Sequence, residues 1–207
     1  MKNVAGKYIL LIVMAVFITA SSSAQQRKFL YDVIRDGKSI GEIIFTEVVQ
    51  GQKKFLRMTS EVKTTMIFTF TDNTLETASF NKGILVSSSF QQKQTGSDDV
   101  NKSTTASGKN YKLTDNGNSK LTALPPIRYN TLLLYTNVPN NIKKVYSANY
   151  QQMVDIKKIA ADKYRLLLPD NKYNDYTYKN GICTKVEIER TMGSVQFVLR
   201  EQSTIAK

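Results

Sequence analysis

The chain has 207 residues, 29 Lys and Arg against 17 Asp and Glu, a formal charge of +12, one cysteine and no histidine. Without histidine, Ser-His-Asp and Cys-His arrangements are excluded, and the usual zinc and haem ligand sets lose their commonest donor. One cysteine excludes an intramolecular disulfide, so the packed core must hold the fold by itself.

At the start, Lys2 and Lys7 precede an uncharged apolar run from Tyr8 to Ala20 and the small residues Ser21-Ser22-Ser23-Ala24. That order predicts a secretion signal over residues 1–24, cut between Ala24 and Gln25 and leaving one domain over 25–207. The apolar run is shorter than the roughly 20 residues that cross a bilayer as a helix. No cysteine follows to carry a lipid. The expected product is exported, to the periplasm or out of the cell, with no transmembrane span. Its balance is 27 basic residues against 17 acidic, or +10, because the signal holds two lysines and no acid. Such a charge attracts anionic surfaces. The basic pairs Lys53-Lys54, Lys143-Lys144 and Lys157-Lys158 are scattered, however, and no nucleic-acid motif accompanies them, so we expect lysines on exposed strand faces and no nucleic-acid partner.

From Lys28 to about Lys120 the chain reads as short strands with turn signals at Asp36-Gly37, Gln50-Gly51, Lys82-Gly83, Gly96 to Asp99, Gly108-Lys109 and Asn116-Gly117. Leu56, Met58 and Val62 alternate with Arg57, Thr59, Glu61 and Lys63, as in a half-buried strand. Ile84, Val86 and Phe90 are expected inside by the same rule, with Leu85 outside. Ile43-Ile44-Phe45 and Met66-Ile67-Phe68 are apolar on both faces and suit doubly covered strands or a barrel wall beside a cavity.

Pro125-Pro126 interrupts this rhythm. Tyr129, Leu132, Leu133 and Thr136 then take helical spacing, which predicts one short helix near 127–136. Strands resume at Met153 to Ile159, Lys163 to Leu168, Tyr173 to Lys179, Ile182 to Met192 and Ser194 to Gln202. Asn180-Gly181 and Gly193 join the last three into a meander. Phe80-Asn81-Lys82-Gly83-Ile84 is echoed by Tyr178-Lys179-Asn180-Gly181-Ile182. The fold class is therefore mainly β: an antiparallel meander forming an open or closed barrel or a strongly curled sheet.

Chemistry is sparse. Ser60-Glu61-Val62-Lys63 has S-x-x-K spacing, but on a strand positions 60 and 63 face opposite ways. Cys183 is expected on the outer face with Lys185, Glu187 and Glu189. Asp98-Asp99 and Asp170 with Asp175 are the candidate carboxylate pairs, each read as turn chemistry. The run Asp170 to Asp175 lacks calcium-loop spacing. Tyr146, Tyr150, Tyr164, Tyr173, Tyr176 and Tyr178 crowd the second half, as strand composition allows.

Three stretches carry a resemblance: Tyr31-Asp32-Val33-Ile34-Arg35-Asp36-Gly37-Lys38-Ser39-Ile40-Gly41, Pro126 to Tyr135, and Tyr178-Lys179-Asn180-Gly181-Ile182-Cys183-Thr184-Lys185-Val186. In these the chain resembles a family of uncharacterised exported proteins of Bacteroidota, a domain of unknown function, and a broader group of exported β proteins. The resemblance implies no catalytic residue, cofactor or metal. The expectation is a non-enzymatic envelope protein that binds an apolar or amphipathic ligand, or a protein segment, in its concavity. Phe45, Met58, Met66, Phe68, Phe90 and Leu132 would line the site and Arg128 would contact an anion. A structural or assembly protein is the alternative, and a carboxylate- or Ser-Lys-based hydrolase the third.

Overall fold

The computed structural model describes residues 24–65, 69–169, 171–189 and 194–206. The expected signal therefore lies outside the described residues, apart from Ala24, and so do Met66, Phe68, Asp170, Met192 and Gly193. The strands are β1 (Gln25–Arg35), β2 (Lys38–Gln50), β3 (Lys53–Thr65), β4 (Thr69–Asn81), β5 (Ile84–Gln94), β6 (Val100–Ser107) and β7 (Asn110–Asp115) in the first half. They continue as β8 (Asn118–Thr122), β9 (Lys144–Ser147), β10 (Gln152–Ala160), β11 (Lys163–Leu167), β12 (Tyr173–Lys179), β13 (Ile182–Ile188) and β14 (Val195–Ala206).

All fourteen join one antiparallel sheet in the order β8-β7-β6-β5-β4-β3-β2-β1-β14-β13-β12-β11-β10-β9. Every neighbour is sequential except β1 and β14, which pair from Gln25↔Ala206 to Arg35↔Val195. The two ends of the sheet are thus β8 and β9, adjacent in sequence but not hydrogen-bonded into one ladder. The sheet curls without closing. Side chains bridge its seam: Gln151 Nε2 donates to the carbonyls of Ser103 (2.9 Å) and Thr114 (3.0 Å), and Lys102 Nζ donates to that of Asn149 at 2.9 Å. Val145, Tyr146 and Ser147 of β9 are buried whereas most of β8 is exposed, so one end of the sheet tucks inside while the other stays wet.

Three hairpins share one device. Asp36-Gly37, Lys82-Gly83 and Asn180-Gly181 each hold both turn residues at positive φ, the geometry that matches strand twist and that only glycine adopts freely at the second position. In each, the third residue of the following strand is bulged out of register: Ile40, Val86 and Thr184. The bulge reverses the alternation expected at two sites. Leu85 is fully buried and Val86 is 43 % exposed, the opposite of the sequence expectation. Cys183, expected outside, is fully buried, because the extra residue Thr184 separates it by three from the inward Val186. The sequence echo marks this shared hairpin.

Ile43 and Phe45 point inward with Ile44 half-covered on the outer face, so β2 is an ordinary one-sided strand. The expected helix is a 3-10 helix of one and a half turns, Thr131–Tyr135, capped by Asn130, whose side-chain oxygen accepts from the Leu133 amide at 3.2 Å. Leu132, Leu133, Leu134 and Tyr135 are all buried, rather than one face of them. Within the segment from β8 to β9, residues 129–139 are a plug inside the curl, and none of them is exposed.

Candidate functional site

The plug enters from the rim at which β8 ends and β9 begins, and it fills that half of the interior. Tyr135 stacks on Phe45 with ring centroids 5.2 Å apart and meets Tyr31 and Tyr176 edge-on. Tyrosine hydroxyls from the wall hold the plug. The Ile127 amide donates to the Tyr111 hydroxyl (3.1 Å), the Tyr178 hydroxyl donates to the Leu134 carbonyl (2.8 Å), and the Tyr164 hydroxyl donates to Asn140 Oδ1 (2.9 Å). These bonds satisfy plug groups that the sheet ladders cannot reach.

Above the plug, toward the rim carrying the Asp36-Gly37 turn, the interior remains a cavity of about 500 Å³. Ligand sites of small molecules span roughly 300–1,000 Å³. Its lining is uneven around the sheet. One arc, from β3, β4 and β5, interleaves the polar Ser60, Asp72, Thr74, Glu76 and Gln92 with the apolar Met58, Val62, Phe70 and Phe90; the other, from β1, β11, β13 and β14, presents Val33, Leu166, Ile188, Val195 and Phe197. Thr131 and Tyr135 form the floor, and Arg35, Lys172 and Glu189 stand among the rim residues. On β4 the inward positions run Phe70, Asp72, Thr74 and Glu76 along the cavity, then Ala78 and Phe80 in the plugged half.

Among the described residues three carboxylates are buried, and the fold treats them differently. Glu47 is ion-paired to Arg27 and to Lys54, the latter at 3.0 Å, and accepts from the Thr136 hydroxyl of the plug at 3.3 Å. Burial pushes its pKa up, but the two cations outweigh burial and hold it below the usual carboxylate value. Asp175 lies on the outer face, covered by Arg165, which clamps it through two bonds of 2.7 and 2.9 Å, and by Lys163 at 3.2 Å. Despite burial its pKa also falls. Glu76, on the cavity floor, differs. Its hydrogen-bond partner is a hydroxyl, Thr131 Oγ1 at 2.9 Å, and burial pushes its pKa up to about 7.

The structure places Met58 and Phe90 in the cavity lining. Phe45 and Leu132 pack in the plugged half, Arg128 is exposed on the connecting segment, and Met66 and Phe68 lie outside the described residues. Ser60 faces the cavity and Lys63 the outer surface, as strand geometry requires. Asp99 is ion-paired with Lys93 at 3.5 Å in its turn. Cys183 is no surface thiol: burial pushes its pKa up to about 12, and its Sγ donates to the Lys185 carbonyl at 3.4 Å. Glu76 went unnoticed in the sequence, although an acid between Leu75 and Ala78 on the inward side of an alternating strand is the signal that finds it.

Among the described residues no helix is long and apolar enough to cross a membrane. Residues 31–200 match a family described as Domain of unknown function (DUF6134). Among curated proteins none matches. Among solved structures the chain is similar to a beta-barrel-like protein of Domain of Unknown Function DUF1849 from Brucella abortus, with 11% identity and a TM-score of 0.50. The match covers 89% of this chain and 98% of that one, and at such identity the likeness is one of fold.

Proposed function

Starting from a chain that belongs to the DUF6134 family, whose description assigns it no activity, we propose that it is an exported, non-enzymatic binding protein whose cavity takes one amphipathic small molecule. The observation that carries this reading is the uneven lining: the hydroxyls, amides and carboxylates are gathered on β3, β4 and β5, among Met58, Val62, Phe70 and Phe90, while the other arc is of Val, Ile, Leu and Phe side chains. An amphiphile lying across such a cavity buries its chain on one arc and keeps its polar group bonded on the other, which avoids the cost of an unpaired buried polar group. Residues 1–24 support the export part through their signal-peptide order.

A hydrolytic reading has the pKa of Glu76 in its favour. Its partner acid would be Asp72, four residues along the same strand, or about 13 Å between Cα atoms. Asp72 is engaged by Gln92 Nε2 at 3.0 Å and by the Thr74 hydroxyl at 3.2 Å. This arrangement favours a ligand wall over a catalytic pair.

The test is fluorescence titration of the processed protein with N-phenyl-1-naphthylamine, a neutral apolar dye, alongside native mass spectrometry of protein purified from its own host. Saturable dye uptake is expected, together with a loss of affinity of about tenfold or more in Phe197→Asp, which puts a charge on the apolar arc. An unsaturable, mutation-insensitive signal together with a ligand-free mass would overturn the reading.

A further inference from the structure

Resting on the amphiphile-binding reading, we propose that the polar group received by this cavity is a primary ammonium, docked against the Glu76 carboxylate, with the attached chain along Val33, Leu166, Ile188, Val195 and Phe197. The argument begins with an asymmetry. Glu47 and Asp175 are each paired with two cations of this chain. Glu76, at 6 % exposure, has a threonine hydroxyl. A buried carboxylate without a cation is costly unless it takes a proton or an external positive charge.

The neighbours of Glu76 are consistent with a place kept for a cation. Across β3 stands Met58, across β5 Phe90, and from the plug come Thr131 and Tyr135. Tyr176 of β12 and Tyr135 both interact electrostatically with Glu76, and burial holds both phenols neutral. One strand beyond Phe90 lies Lys102, whose ammonium is engaged elsewhere, by the Asn149 carbonyl at 2.9 Å and Asp115 at 3.6 Å. Higher on the same strand Asp72 adds a second negative charge to the polar arc. The Oδ1 of Asn174, an acceptor without a hydrogen-bond partner, also belongs to a cavity-lining side chain. An ammonium group would bring three donors to the Glu76 carboxylate and this amide oxygen.

The chain's own charge sharpens the test. At +10 without residues 1–24, its surface repels a cationic amphiphile and attracts an anionic one, so adsorption outside the cavity has the opposite preference. Dodecylamine, dodecanol and dodecanoate, each below its micelle concentration, are to be compared as competitors of the bound dye. We expect dodecylammonium at about pH 8.5 to displace dye at a concentration about tenfold or more below that of dodecanoate, as a desolvated ion pair requires. The preference should shrink several-fold at about pH 5.5, where Glu76 holds its proton. In Glu76→Gln it should be absent at both pH values.

Dodecanoate binding as well as or better than dodecylammonium, while the dye still binds, overturns the ammonium assignment and leaves the cavity reading standing. An ammonium preference that survives Glu76→Gln also overturns it. Should that variant fail to fold, the wild-type pH dependence decides, because a preference unchanged from pH 5.5 to 8.5 refutes the role of Glu76. Absence of dye binding in the wild type overturns the cavity reading itself, and the assignment with it.

Discussion

Single residues decide how this protein responds to pH, and its two inward carboxylates respond in opposite senses. Glu76 holds its proton more tightly folded than unfolded, so its contribution to stability is full below the ordinary glutamate value, about 4.3, and is lost as pH rises through about 7. Unliganded protein should therefore melt at a lower temperature at pH 8.5 than at pH 5.5. Glu76→Gln should remove that decline, a gain on the order of 2–3 kcal/mol at the higher pH, read by calorimetry. Glu47 contributes above the ordinary value, and its share is lost as pH falls through its lowered one. Glu47→Gln leaves Arg27 and Lys54 facing a neutral amide beside the plug, and about 3 kcal/mol of destabilisation is expected in urea melts at pH 7. Neither acid was distinguishable in the sequence from the surface glutamates, because the cations that neutralise Glu47 lie 20 residues before it and 7 after it, on neighbouring strands. The single cysteine misled for a similar reason, since the bulge that turns it inward depends on the pairing partner and not on its own neighbours.

At the level of elements, the hairpins were legible and the plug was only half so. Two-residue turns with Gly in second place announce themselves, and Tyr173–Lys179 was read from alternation with the bounds it has in the structure. Bulges do not announce themselves, so Leu85, Val86 and Cys183 were assigned to the wrong faces. Gly41, beside the Ile40 bulge, has no room for a side chain. A Cβ there would lie 2.1 Å from the Glu61 carbonyl oxygen, so Gly41→Ala must push β3 away, at an expected cost of about 1–3 kcal/mol in thermal melts. The plug was visible as a break at Pro125-Pro126 followed by apolar residues, yet helical spacing implied one buried face where the structure buries four consecutive side chains. Leu132→Ala should therefore cost about 2–5 kcal/mol. Leu121→Ala, at 66 % exposure on β8, should fall within about 0.5 kcal/mol of wild type, a contrast that chemical denaturation resolves.

For the molecule as a whole, composition and turn spacing gave the curled antiparallel sheet but not its strand order. Of the forms expected from sequence, an open meander leaves the first and last strands at opposite edges, and a closed barrel leaves no edge at all. Here they lie side by side at the middle, and the edges fall at β8 and β9. Nothing in local pattern encodes this, because the pairing spans almost the whole chain: Gln25 meets Ala206. A variant lacking residues 195–206 should show no cooperative unfolding transition by circular dichroism, since β1 and β13 would both lose a partner.

The pairing of β1 with β14 has a consequence during synthesis. Strand β1 has one flank covered by β2 early and the other bare until β14 has been made, so the sheet cannot be completed in the order in which its strands emerge.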